Sequence, residues 1–136
     1  ISASLVGSEM CIRDSTETAE LNNLSTASLR LSSIKNLGVS IALDDFGAGY
    51  SALRYLKDLP VDVLKLDKSF TSELQENHNQ SLFQIAKLMA DSLAMEFICE
   101  GLEEQWQIEK AINLGCEIGQ GFYLHRPCSL EDLNNE

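Results

Sequence analysis

Apolar positions along this chain follow two spacings in turn. Segments with apolar residues three or four positions apart, typical of amphipathic helices, alternate with short, nearly continuous apolar runs, typical of buried strands. We therefore predict helices over 17–38, 51–59, 79–94 and 103–115, strands over 39–45, 61–67, 95–101 and 116–121, and a last helical turn over 129–135. In the third helix, the core-facing stripe is predicted to contain Leu82, Ile85, Ala86, Met89 and Leu93.

This alternation of strands and helices indicates parallel βα units. Polar residues stand at the end of each successive strand; they are Glu17 (after a fragmentary first strand), Asp44, Asp45, Lys65, Glu100 and Gln120. In a closed (β/α)8 barrel all strands end at one mouth, where active sites lie. The predicted fold class is therefore α/β, the C-terminal portion of a TIM-type barrel with about five βα units, in which these residues ring one pocket.

The first segment of the chain, ISASLVGSEMCIRDS, has neither helical nor strand periodicity. It resembles a translated sequencing-adaptor tail rather than part of a domain, and it lacks the basic region of a signal peptide. We accordingly predict a non-native tail over 1–15 and the domain portion over 16–136.

Composition limits the partners of this domain. Among the 136 residues, 10 Lys and Arg stand against 21 Asp and Glu, a net charge of −11. This balance disfavours duplex nucleic acid and anionic membranes, whereas a phosphate ligand remains compatible if a metal ion supplies positive charge. No apolar run reaches the roughly 18 residues of a membrane span. The four cysteines lack C-x-x-C spacing, which argues against a zinc site or a dense disulfide framework. Cys99 and Cys116 stand among apolar residues and are predicted to be small core residues, which favours a reducing cytoplasm.

Carboxylates that converge on one pocket repel one another unless a cation lies between them. Oxygen ligands favour Mg²⁺ or Mn²⁺, and two such ions can clamp a phosphodiester and activate a water. Lys65, flanked by leucines, would then orient the water or neutralise the developing phosphate charge. Glu100 is a candidate base or ligand, and Gln120 a neutral positioning group.

Each of these residues also has a purely structural explanation. An Asp-Asp pair after a strand commonly caps a helix or forms a turn, and an isolated lysine commonly extends to the surface. Glu100 and Gln120 lie beside glycines and fit ordinary loops, and Gly47 and Gly49 fit plain turns. The joint placement of the polar residues at successive strand ends favours a functional site.

Four motifs in order and register, LDDFGAGYSAL, LPVDVLKLDKSF, CEGLEE and GQGFYLHRP, resemble the EAL family of cyclic-di-GMP phosphodiesterases over residues 16–133. The resemblance implies a TIM-type barrel that hydrolyses cyclic di-GMP to linear pGpG with Mg²⁺ or Mn²⁺. It also implies metal ligation by Glu17, Asp44 and Asp45, water positioning by Lys65, a general base at Glu100, and loop or substrate positioning by Glu103 and Gln120.

The same resemblance implies a setting for the parent protein. We expect a cytoplasmic signalling protein, in some cases anchored at the cytoplasmic face of the membrane, in which the domain is fused to GGDEF or sensor domains. The intact domain is expected to form a homodimer.

The chain departs from the family pattern in two ways. The Glu-Ala-Leu signature and a later asparagine, both metal ligands in the family, do not occur in it, and the chain supplies about half of a barrel of roughly 250 residues. In addition, CEGLEE replaces Ala-Glu-Gly-Val-Glu-Thr, so Cys99 stands where the family pattern has alanine. Because these two metal ligands are missing, we predict that the chain is inactive by itself.

Two other functions compete with this interpretation. One is a catalytically silent EAL-like module that binds cyclic di-GMP or acts as a scaffold. The other is a phospho-acceptor receiver domain, which also uses an Asp pair, Mg²⁺ and a lysine. The receiver is disfavoured because Lys65 follows the Asp pair after only one βα unit, and further units come after it.

Overall fold

A computed structural model of the chain describes residues 2–4, 9–10, 24–48 and 56–127. Its elements in chain order are β1 (Ser2–Ser4), β2 (Glu9–Met10), α1 (Leu24–Lys35), β3 (Ser40–Phe46), β4 (Val63–Leu66), α2 (Lys68–Ser72), α3 (Asn77–Ser92), β5 (Glu96–Cys99), α4 (Gln105–Asn113) and β6 (Ile118–Gly119). None of the described helices is long and apolar enough to cross a bilayer.

Strands β3, β4, β5 and β6 form a parallel sheet in sequence order. Leu64 lies opposite Leu43 on one side and Phe97 on the other, and Ile98 lies opposite Ile118. All four strands therefore end at the same edge. Within the described residues the sheet does not close, as expected for part of a TIM-type barrel, so the predicted fold class is confirmed.

The hydrophobic core lies between this sheet and the helices. Strand β4 is buried along its whole length, as a parallel strand covered on both faces should be. Asp62, just before β4, joins α1 to the sheet: its carboxylate accepts the Ile41 N–H at 2.9 Å and pairs with Lys35. The starts of β3 and β4 are thus tied to the end of α1.

Helix α3 is present as predicted, but the face that it buries differs from the predicted stripe. Phe83, Ala86 and Ala90 are its buried residues, whereas Ile85 and Leu93 are 56% and 40% exposed. The ring of Phe83 meets that of Phe97 edge-on, with centroids 5.4 Å apart, and this large contact determines the rotation of the helix. The predicted stripe was wrong about Ile85 and Leu93.

The predicted helix ends at Gly38 and Gly115 are confirmed. Both glycines have positive φ, 85° and 87°, and their N–H groups donate to the last turns of α1 and α4. Helix α2 was not predicted. Its N-cap is Asp67, whose carboxylate accepts the Ser69 N–H at 2.9 Å.

Short strands also occur in the predicted tail. Strand β1 pairs antiparallel and β2 parallel with β3, through backbone hydrogen bonds that periodicity cannot reveal in two or three residues. The boundary between tail and domain at residue 16 stays a prediction. The fragmentary strand before Glu17, most of the 51–59 helix and the last turn lie outside the described residues.

The packing of α3 on the sheet can be tested by truncation. Phe83→Ala should lower the free energy of unfolding by about 3–5 kcal/mol, because Phe83 is fully buried and the cavity cannot collapse completely. Leu88→Ala on the same helix is the control and should change it by roughly 0.5 kcal/mol or less, since Leu88 is 66% exposed. Similar losses for the two variants in chemical denaturation would contradict this packing.

Candidate active site

The end of β3 carries two adjacent carboxylates. The pairing of β3 with β4 shifts register between Leu43 and Phe46, and Asp45, inside this irregular stretch, has a φ of 54°. A bulge of this kind breaks the alternation of side chains along a strand and re-aims them. Asp tolerates the left-handed conformation better than most residues. Adjacent residues of a regular strand point to opposite faces, whereas here the carboxylates of Asp44 and Asp45 lie in one cluster.

Lys65 supplies the positive charge beside them. It lies in the middle of β4 and is only 6% exposed, so the predicted alternative of a surface lysine is wrong. Its Nζ donates to Asp44 Oδ1 at 3.1 Å and forms a second ion pair with Glu100 Oε1. One buried ammonium group thus joins carboxylates that follow two different strands.

Three carboxylates meet around this ammonium group. Asp44, Asp45 and Glu100 each offer an oxygen, and these oxygens all lie within 4.8 Å of one another. Asp44 and Glu100 are half-buried, and Asp45 is exposed. Among the described residues, the mouth of the sheet therefore holds three acidic groups against one lysine.

Burial and the neighbouring charges together shift the pKa values of Glu100 and Lys65. Burial, with the negative charges of Asp44 and Asp45, raises the pKa of Glu100 above its ordinary value, although Lys65 acts in the opposite direction. Burial alone would lower the pKa of Lys65, but its bonds and charge interactions with Glu100 and Asp44 outweigh burial and raise it. Lys65 therefore keeps its proton, and its single charge does not neutralise the cluster.

The donor set fits a divalent cation. Three carboxylate oxygens close together, with a net negative charge, are the ligands that Mg²⁺ and Mn²⁺ prefer. Asp44, Asp45 and Glu100 are the described residues that would hold such an ion.

The loop after β5 fixes the position of Glu100. The Thr71 hydroxyl, fully buried in α2, hydrogen bonds with the backbone carbonyl of Glu100. Gly101 has a φ of 71° and lies so close to Lys68 that a side chain there would overlap it. Gln107, at the start of α4, is 5% exposed and donates to the Thr71 carbonyl at 3.3 Å.

Gln107 also accepts the N–H groups of Glu103 and Glu104, at 2.7 and 2.8 Å. Sequence reasoning missed Thr71 and Gln107. A signal for Gln107 was available, since it stands three residues after Glu104 and completes a capping box. No comparable signal marks Thr71.

The remaining predicted site residues lie elsewhere. Glu103 and Gln120 are exposed, and the described contacts of Gln120 use its backbone: its N–H donates to Cys99 and its carbonyl accepts from Leu102. Neither joins the carboxylate cluster. Glu17 and the segment 49–55 that follows the Asp pair lie outside the described residues, so their roles stay predictions.

Comparison with known proteins places this geometry in a family. The family model described as EAL domain matches residues 12–127. The chain belongs to the EAL domain family. Asp44, Asp45, Lys65 and Glu100 all lie inside the matched segment.

The curated relatives are much longer than this chain. It is 39% identical over 119 residues to the signaling protein YkoW of Bacillus subtilis, covering 87% of this chain and 15% of YkoW. It is 35% identical over 123 residues to the bifunctional diguanylate cyclase/cyclic di-GMP phosphodiesterase MucR of Pseudomonas aeruginosa, covering 90% of this chain and 18% of MucR. The chain thus spans less than a fifth of these relatives.

Solved EAL structures agree with the fold. The EAL domain of Mycobacterium smegmatis DcpA superposes with a TM-score of 0.82 at 32% identity, covering 93% of this chain and 55% of that one. The cyclic di-GMP complex of the MucR phosphodiesterase gives a TM-score of 0.76 at 35% identity, covering 88% and 49%. The chain therefore corresponds to about half of each solved domain.

The electrostatics of the cluster predict that the free energy of unfolding depends on pH. The folded-state pKa of Glu100 exceeds the ordinary 4.5, so its contribution to stability is present below that value and is lost as pH rises through the folded-state pKa. In chelator-containing buffer, Glu100→Gln should therefore gain stability relative to wild type as pH rises through this window.

Denaturant unfolding of both proteins between pH 4 and pH 7, roughly the range in which a perturbed carboxyl titrates, measures this difference. Glu117→Gln, which changes an exposed carboxylate outside the cluster, is the control for the loss of one charge. If Glu100→Gln instead becomes less stable than wild type as pH rises, the prediction fails. The ion pair with Lys65 would then outweigh the burial of Glu100.

Proposed function

We propose that this chain is the C-terminal half of a cyclic-di-GMP phosphodiesterase domain, which hydrolyses cyclic di-GMP to linear pGpG with Mg²⁺ or Mn²⁺. The observation that carries this proposal is the convergence of three carboxylates and a buried lysine at the strand ends of a family member. The similarity to MucR, which is named as a cyclic di-GMP phosphodiesterase, supports the substrate.

The roles of the residues follow from their environments. Asp44 and Asp45 are the proposed metal ligands, with Glu17 sharing the site. When bound, the divalent metal lowers the pKa of a water and offsets the negative charge of the phosphodiester. Lys65 holds its proton, so it acts as a fixed positive charge that orients the water and neutralises the phosphate, not as a base.

Glu100 is the proposed proton acceptor. Its raised pKa makes it a stronger base than an ordinary carboxylate, and the Lys65 ion pair fixes its orientation. It also lies close enough to Asp44 and Asp45 to act as a ligand. Glu103 and Gln120 are proposed to position the loop after β3 and the substrate, which requires their exposed side chains to contact groups outside the described residues.

The length of the chain limits what it does alone. It corresponds to about half of the solved EAL domains, and the Glu-Ala-Leu segment does not occur in its sequence. We therefore propose that the chain by itself does not turn over cyclic di-GMP. The complete parent would be a cytoplasmic protein with GGDEF or sensor domains and a dimeric EAL domain; the bifunctional name of MucR supports the GGDEF fusion.

The experiment joins this chain to a family-matched N-terminal half and compares wild type with Asp44→Asn. Wild type should be stabilised by Mg²⁺ or Mn²⁺ by RT ln(1 + [M]/Kd), because the ion binds only the folded cluster. Asp44→Asn keeps the shape but removes a charge, so it should gain less and should lose turnover by orders of magnitude.

Melting curves over a metal series and chromatographic detection of pGpG are the two readouts, with the chain alone as the inactive control. Equal metal stabilisation of both proteins, with turnover intact in Asp44→Asn, would reduce Asp44 to a turn former. Metal stabilisation of wild type without turnover would support the silent cyclic-di-GMP-binding module instead.

A further inference from the structure

Two cysteines lie in contact, and one of them directly precedes Glu100 in the chain. Cys99 is the last residue of β5, and Cys116 lies between α4 and β6. Both are free and buried, at 1% and 6% exposure, and their Sγ atoms are 3.2 Å apart. The expectation that each is a core residue is met, but their contact with each other was not anticipated.

Backbone bonds hold the two thiols together. Cys99 lies opposite Gly119 in the β5–β6 ladder, and Gly119 adds no side chain to the space beside the sulfur. The Cys116 N–H donates to the Ala111 carbonyl at 2.9 Å, and its thiol lies 3.1 Å from the Ile118 carbonyl. The contact therefore follows from the ladder and the end of α4, not from mobile surface groups.

We propose that Cys99 and Cys116 are a redox modification site, which forms a reversible intrachain disulfide when the protein meets a hydroperoxide. A disulfide requires the sulfurs to approach to about 2.05 Å, so a contraction of roughly 1 Å suffices. In a reducing compartment such a bond is transient and acts as a sensor of oxidant.

The reaction balances in two steps. The Cys116 sulfur attacks one oxygen of hydrogen peroxide, an S–O bond forms and the O–O bond breaks. The departing hydroxide takes the thiol proton and leaves as water, and Cys116 becomes a sulfenic acid. The Cys99 sulfur then attacks the Cys116 sulfur, the S–O bond breaks, the S–S bond forms and a second water leaves. Each sulfur gives up one electron, and the peroxide is reduced to two waters.

Cys116 is the thiol expected to react first. Cys116 is the more exposed of the two, at 6% against 1% for Cys99, and its hydrogen bond with Cys99 lowers the pKa of Cys116 to about 7 against the opposing effect of burial. The thiolate is the nucleophile, so the more acidic thiol is the one that reacts first with the peroxide. Because Cys99 is covalently joined to Glu100, the bond forms one residue from the carboxylate cluster.

The test maps disulfides in the reduced 136-residue chain after hydrogen peroxide treatment in chelator-containing buffer. Free thiols are blocked by alkylation before digestion. Trypsin cleaves after Lys110, between Cys99 and Cys116, and a glutamate-specific protease cleaves after Glu117, between Cys116 and Cys128. We expect the Cys99–Cys116 peptide pair to predominate, with the loss of two hydrogen atoms, and to disappear on reduction.

Oxidation in denaturant shows whether the disulfide depends on the folded contact between Cys99 and Cys116 or forms by random pairing of cysteines. Cys116 and Cys128 are 12 positions apart, whereas Cys99 and Cys116 are 17 apart, so in an unfolded chain the shorter loop closes at least as readily. Selectivity for Cys99–Cys116 should therefore vanish in denaturant. The same linkage pattern in both conditions would overturn the proposal, as would native Cys99 and Cys116 that stay reduced or pair with other cysteines.

Single substitutions test the order of reaction. Cys99→Ser should leave Cys116 trapped as a sulfenic acid, detectable with a dimedone probe, whereas Cys116→Ser should leave Cys99 reduced. Cys128→Ser is the matched control and should keep the Cys99–Cys116 bond. If a core substitution prevents folding, the wild-type map under native and denaturing conditions still decides the proposal.

Discussion

The site depends on one buried ammonium group placed among three carboxylates. Lys65 pairs with Asp44 and with Glu100, and it is the described cation that joins the ends of β3 and β5. Its single positive charge faces three carboxylates, so the described cluster keeps a net negative charge. A divalent cation would supply the missing positive charge. The electrostatics of the cluster therefore agree with the proposed metal-dependent chemistry.

The rest of the structure serves to hold that arrangement. The irregular end of β3 directs two neighbouring carboxylates to one cluster, and the ring of Phe70 fills the space beside Gly47, where a larger residue would collide with it. On the other side, Thr71 and Gln107 fix the backbone after β5, so the Glu100 carboxylate starts from a defined position. Catalytic groups that are rigidly held lose less conformational entropy when they reach the reactive geometry.

Much of this could be predicted from the sequence, and the exceptions have physical causes. The buried runs and glycine stops located the strands and helix ends, and the polar residues at strand ends identified Asp44, Lys65 and Glu100, because parallel strands share one edge. Periodicity could not show the rotation of α3, which the contact of Phe83 with Phe97 determines. It also could not show the bulge or the Thr71 contact, because both arise only when separate elements pack together.

A double-mutant cycle between Lys65 and Glu100 tests the central claim most directly. Unfolding free energies of wild type, Lys65→Met, Glu100→Gln and the double variant, measured in chelator-containing buffer at neutral pH, give the coupling between the two side chains. The account predicts a favourable coupling of about 1–3 kcal/mol, as expected for a buried pair in direct contact. A coupling of zero would show that Lys65 does not hold the carboxylates together, and the explanation of the site given above would fail.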